Sequence, residues 1–162
     1  MDGFVVTEGT LRRSLPDDAN LPAAQDELSR LLDKHAFTVP SGHLKQAIEA
    51  HADGHWAAAN GQIRTFLDAL FDEIAERFDP NTAWMGSGQP RRTQLAARGF
   101  FSRPLNEWND DGRNFINGLF RRLSPEGSHP GLSGEEDSTF RLHVVLLTAR
   151  LFLSRFDEQV NS

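Results

Sequence analysis

The chain has 162 residues, no cysteine, and a formal charge of −6 from 17 basic and 23 acidic side chains. One core is expected at that length, and the missing cysteine excludes a disulfide scaffold, a thiolate zinc site and a cysteine nucleophile. The acidic balance excludes a general nucleic-acid coat protein, whose affinity would rest on neutralising phosphates.

The N-terminal MDGFVVTEGT carries Asp2 and Glu8 and no basic run, so it does not read as a signal peptide. With no cysteine to mark secretion, a reducing cytoplasmic location is expected. Phe4-Val5-Val6-Thr7 alternates weakly and predicts a short extended arm. Asn20 can cap a helix with Pro22 in its first turn, running to about His35 through Leu21, Ala24, Leu28, Leu31 and Leu32. Val39-Pro40 should break it, and Ser41 can cap the next helix through Leu44, Ala47, Ile48 and His51. Residues 1–40 thus divide as arm and first helix from a bundle over 41–162, within one compact unit.

After Gly54 comes the clearest helix. Ile63, Phe66, Leu67, Leu70, Phe71, Ile74 and Phe78 recur at three and four on one face, with Asp68, Asp72 and Glu76 on the other. With the preceding segment it predicts a helical hairpin. Residues 79–104 hold Gly86-Ser87-Gly88 and three prolines, and predict a mobile loop with a short helix around Arg92–Phe101. Leu105 to Leu123 reads as helix along Leu105, Trp108, Phe115, Ile116, Leu119, Phe120 and Leu123. Ser133 with Glu136 fits a capping box ahead of a last helix from about Glu135 to Asp157.

That last helix is apolar on two opposed faces. Phe140, Val144, Leu147 and Leu151 form one; Leu142, Val145, Leu146, Ala149, Phe152, Leu153 and Phe156 form the other. Both need cover, from a central place in the bundle or from a second subunit. Its densest apolar stretch, 144–153, is broken by Thr148 and Arg150 and is too short to span a bilayer, so no membrane partner is expected. The fold class is all-α, an irregular bundle of five or six helices.

Charge is uneven along the chain. Residues 91–122 carry seven arginines against three acids, while the flanking segments are all acidic. Arg suits bidentate phosphate contact, although it is also a common helix-surface residue. Arg122 and His129 bracket the connection RRLSPEGSHPG between the last two helices. An imidazole can move a proton near neutrality, and a guanidinium can stabilise charge growing on a phosphate. The pair suits metal-independent RNA cleavage, in which a ribose 2′-hydroxyl attacks the adjacent phosphate. A loop histidine and a dipole-favoured arginine at a helix C-terminus explain the same residues structurally. His51 and His55 are spaced i, i+4, but Gly54 between them and the missing glutamate argue against a metal site. Gly86-Ser87-Gly88 lacks the Gly-Lys-Ser/Thr ending of a P-loop. Neither a metal nor another cofactor is expected.

Three stretches of the chain resemble the HEPN superfamily, especially the C-terminal domains of abortive-infection proteins. They are the hairpin over 43–78, the LFRRLSPEGSHPG connection, and the terminal helix EEDSTFRLHVVLLTARLFLSRF. The resemblance implies a HEPN-like bundle, with the family's signature Arg on Arg122 and its His on His129. It also implies pairing of two copies, so that their signatures line a shared cleft.

Two functions follow as expectations. The first is a HEPN-like ribonuclease or toxin-like effector in a defence, abortive-infection or toxin–antitoxin setting. Arg122 and His129 would be catalytic there, and Arg91, Arg92, Arg98, Arg103, Arg113 and Arg121 would bind RNA. The chain would be a homodimer through Leu142, Val145, Leu146 and Leu153, with a cognate antitoxin or other protein as a further partner. The second is a non-catalytic helical module for dimerisation or protein interaction, favoured by the acidic balance, by Leu123 after the Arg and by Pro130 after the His.

Overall fold

The computed structural model describes residues 4–7, 10–13, 21–124 and 134–162. The expected arm forms an antiparallel hairpin of two four-residue strands, β1 (Phe4–Thr7) and β2 (Thr10–Arg13), with Phe4 opposite Arg13. The other described residues form an all-α bundle of six α-helices and one short 3-10 turn.

Helix α1 (Leu21–Lys34) buries Ala24, Leu28, Leu31 and Leu32, which fall on one face at the helical period. It ends in a left-handed turn at Ala36 (φ 55°), where the Phe37 N–H donates to Leu32 O at 2.9 Å. Helix α2 then starts at Thr38 and runs to Ala52, four residues earlier than a cap at Ser41 suggested. Pro40, expected to break α1, comes after α1 has already ended and lies within α2. Pro40 sits in the first turn, where a missing N–H costs no helix bond. Ser41 lies inside the helix, its N–H donating to Phe37 O at 3.1 Å, and does not cap it. The expected cap at Asn20 falls outside the described residues.

Gly54 (φ 76°) closes the hairpin turn into α3 (Trp56–Phe78), the 23-residue helix at the centre of the bundle. Its predicted face is buried from Ile63 to Ile74, and Phe78 at its end is half-buried against the core. Asp79 then caps a short 3-10 turn, Pro80–Trp84, by accepting the Asn81 N–H at 3.0 Å. Helix α4 spans Gln89–Ala97, displaced from the expected 92–101. Pro90 favours an early start, and the left-handed Gly99 (φ 80°) ends the helix so that Phe100 and Phe101 turn into the core.

The longest error of periodicity concerns residues 105–114, which form turns rather than helix. Asn106 (φ 54°) and Gly112 (φ 77°) take left-handed conformations that a helix does not allow. Helix α5 starts only at Phe115 and ends at Leu123, with the Asn114 side chain accepting the Asn117 N–H at 2.9 Å. Trp108 is nevertheless buried, stacked on Phe101 at 5.6 Å, whereas Leu105 is exposed.

Helix α6 (Glu135–Val160) has Gly134 at its N-cap; Ser133, the expected cap, lies outside the described residues. Its two apolar faces have different fates. The wider one, including Leu142, Val145, Leu146 and Leu153, is buried against α1 and α3 in the chain's own core. Those four side chains are therefore unavailable to a second subunit, contrary to the sequence reading. The face they were expected to leave covered, at Phe140, Leu147 and Leu151, is the exposed one. Among the described residues, no helix is long and apolar enough to cross a membrane.

Candidate functional site

Helix α3 determines what becomes of the arginine-rich segment. Its polar face presents Asp68, Asp72 and Glu76 toward α4. Arg91 pairs with Glu76 and lies 4.0 Å from Asp72. Arg92 pairs with Asp68, donates to Gln89 Oε1 at 3.3 Å, and lies 3.7 Å above the Phe120 ring. Only 5% of Arg92 is exposed. Burial weakens its hold on its proton, against the opposing pull of Asp68. Burial likewise raises the Asp72 carboxyl above the ordinary carboxylate value, partly offset by the Gly88 N–H and Arg91.

The other expected RNA contacts are scattered. Arg98 lies 4.2 Å over the Phe78 ring. Arg103 makes two hydrogen bonds, of 3.2 and 3.0 Å, to exposed Asp110. Arg113 is exposed. Arg121 donates to the backbone oxygens of Asn117 (3.4 Å) and Gly112 (3.2 Å). The segment's excess charge therefore does not form one basic surface. Arg91, Arg92 and Arg103 are matched by acids, two of them from α3, which a segment-by-segment charge count separates. Arg91 and Arg92, expected as free RNA contacts, are instead paired with acids of α3; Arg98, Arg113 and Arg121 have no carboxylate partner among the described residues.

Arg122 stands at the C-terminal end of α5. Its guanidinium pairs with Asp137 in the first turn of α6 and lies 5.2 Å from the Phe140 ring. Asp137 also accepts from Arg141 Nε at 2.7 Å. The hydrogen bond from Arg122, reinforced by Arg141, holds the Asp137 carboxyl below its ordinary value. His129 lies outside the described residues, and so does its expected convergence with Arg122.

The weaker motifs have structural roles here. His51 Nε2 is 3.0 Å from Thr139 Oγ1, and its ring meets Trp56 edge-on at 5.1 Å. His55 is the exposed residue before α3. Among the described residues no group of three or more His, Asp or Glu side chains could hold a metal ion. The Gly88 N–H donates to Asp72 Oδ1 at 2.9 Å, so this amide is turned to a carboxylate rather than offered to a phosphate.

Sequence reasoning missed a wide-mouthed cleft of about 360 Å³ between α3, α4 and α5. Arg64, Arg92 and Arg121 line it with Gln89, Asn117 and Ser124, and Phe120 is at its wall. Arg64 was the available signal. It stands one turn before Asp68 on the polar face of α3, outside the arginine-rich segment. No family model, no curated protein and no solved structure matches the chain.

Proposed function

We propose that the chain is a dimerising helical module, in which the exposed stripe of α6 packs against the same stripe of a second copy. The spacing of Phe140, Val144, Leu147 and Leu151 carries this reading. Steps of four, three and four make a heptad-like seam. They also read the same in both directions, so each seam residue would meet a seam residue of an antiparallel copy related by a two-fold axis. Phe140, Leu147 and Leu151 are 52%, 49% and 49% exposed. Val144 between them is half-buried against the chain's own core. Single exposed apolar residues are ordinary, but three on one stripe mark an interaction surface.

The same geometry favours a non-catalytic role. Asp137, which grips Arg122, lies about eight residues from the centre of the seam. Antiparallel pairing would hold the two Arg122 ends roughly 25 Å apart along the helix axis, at 1.5 Å per residue. That is too far to share one phosphate. Sedimentation of the wild type and of Leu147→Lys tests the proposal. A wild-type dimer and a folded, monomeric variant are expected. A wild type that stays monomeric at high micromolar concentration, or a variant that dimerises equally well, overturns it.

One observation favours a second reading, the HEPN-like ribonuclease of a defence or toxin–antitoxin system. The Arg122 side chain is 46% exposed where the connection to His129 begins. In this reading Arg122 stabilises the phosphate, His129 moves the proton, and Arg98, Arg113 and Arg121 hold the RNA backbone. Two copies must then pair in an arrangement that brings both connections together. RNA cleavage that is lost in His129→Ala supports this reading, and intact RNA across varied substrates removes it.

A further inference from the structure

We propose that the cleft between α3, α4 and α5 is a binding site for a phosphate dianion, either inorganic phosphate or the phosphomonoester end of a small molecule. The inference is independent of pairing through α6, because the cleft is lined by other helices.

Charge decides the class of ligand. Three guanidiniums, from Arg64, Arg92 and Arg121, line the cleft, and its lining includes no carboxylate. The nearest acid is Asp68, which pairs with Arg92 and lies 3.8 Å from Arg64 Nε. Asp72 and Glu76 are turned to Arg91 and the Gly88 N–H. Asp111, beside Gly112, accepts the Arg113 N–H at 2.8 Å. Asp72 also acts on Arg92 from farther off, so two acids stand against three cations and positive charge remains in excess. A phosphomonoester offers three terminal oxygens and two charges to the guanidiniums, whereas a diester offers two free oxygens and one charge.

The hydrogen-bonding groups agree. Gln89, Asn117 and Ser124 add neutral polar groups to the three guanidiniums of the lining. Arg121 is held to the cleft by two backbone oxygens, without an acid. Arg92 is also pre-positioned. The Phe120 ring beneath it and Gln89 beside it fix the guanidinium plane before a ligand arrives. Guanidinium forks match phosphate oxygens bidentately. The cleft volume is at the lower end of small-ligand sites, which suits a phosphate with a compact organic group.

The test is calorimetric titration of the full chain at constant ionic strength. The probes are inorganic phosphate, glycerol phosphate and dimethyl phosphate, a monoanionic diester. Saturable one-to-one binding of at least one dianion is expected, about tenfold or more tighter than the diester. The tighter of the two dianions identifies the source of the group. Arg121→Gln should weaken binding by about tenfold, and Arg64→Gln should do the same if the first variant folds poorly. Arg30→Gln, on an exposed side chain of α1 outside the cleft, should bind as the wild type does. No saturation with either dianion, equal affinity for the diester, binding confined to RNA, or undiminished binding in folded Arg121→Gln and Arg64→Gln overturns the proposal.

Discussion

Arg155 of α6 grips Glu107 of the 105–114 turns through two parallel hydrogen bonds, Nη1 to Oε2 at 2.6 Å and Nη2 to Oε1 at 2.9 Å. The pair ties a segment without regular structure to the longest helix. Glu107 Oε2 also accepts the Ser102 N–H at 2.6 Å, and Arg155 Nη1 donates to Phe100 O at 2.8 Å. The fork therefore fixes the stretch from Phe100 to Glu107, which carries Phe101 into the core and leads directly into Trp108.

Removing one partner leaves the other buried and unmatched. Arg155→Leu should cost about 2–4 kcal/mol, below the full penalty of a buried pair because Arg155 keeps some contact with water. Chemical denaturation measures it. The m-value should be unchanged if the loop stays docked in the native state. A loss under about 0.5 kcal/mol would mean that the loop is held by its aromatic residues alone.

Glu107 also sets part of the acid sensitivity. Burial alone would raise its carboxyl, but the bonds from Arg155 and the Ser102 N–H outweigh burial and hold it below its ordinary value of 4.5. The folded state then binds fewer protons than the unfolded chain. Its contribution is complete above about pH 4.5 and is lost as pH falls through the lowered folded value. Asp72 runs the other way: burial raises its carboxyl, so its contribution weakens as pH rises through the raised value. Glu107→Gln should be less stable than wild type at pH 7 by roughly 1–3 kcal/mol. Its thermal midpoint should also fall less steeply than the wild type's below about pH 4.5. Parallel curves for the two proteins would show that other carboxylates set the acid limb.

The two faces of α6 separate folding from association. Leu146 is 2% exposed and belongs to the core, whereas its neighbour Leu147 is half exposed. Leu146→Lys buries a charge without a partner and should abolish the cooperative unfolding transition. Leu147→Lys should leave the thermal midpoint of the monomer within about 2 °C of wild type while shifting sedimentation. The contrast has meaning because the substitutions are chemically identical and adjacent. If both unfold the chain, the outer face is also needed for folding.

The sequence was most legible where one element answers to one period. Helix α3 is long, and its face from Ile63 to Ile74 has a single interpretation. Leu105 and Trp108 fit a helical period equally well, yet lie in turns because Asn106 and Gly112 adopt left-handed backbones. Periodicity places side chains on faces but does not detect such residues. It also found both apolar faces of α6 without the means to say which meets α1 and α3. Arg91 and Arg92 were misread for a related reason: their acids lie on α3, some 15 to 24 residues away along the chain. Arg122 was legible as a cation at a helix end, but neither its half-exposed side chain nor its acid, Asp137, across the connection in the next helix, was legible.

Asp137 and Arg122 should therefore respond unequally to mutation. Asp137 serves two arginines: Arg122, half in water, and Arg141, whose side chain is 2% exposed. Replacing Arg122 with Ala removes an exposed partner and a ring contact with Phe140, and should cost at most about 1 kcal/mol. Replacing Asp137 with Ala takes a carboxylate from a buried guanidinium, and should cost roughly 1–3 kcal/mol more. The double variant should resemble Asp137→Ala, since Arg122 then has no pair left to lose. Urea denaturation of the four proteins closes the cycle. Equal losses for the two single variants would mean that Arg141 does not depend on Asp137. Arg122→Ala would then be as disruptive to the fold as Asp137→Ala, and any activity it lost could not be assigned to chemistry. With the expected inequality, Arg122→Ala keeps a folded chain and serves as a clean probe of RNA cleavage.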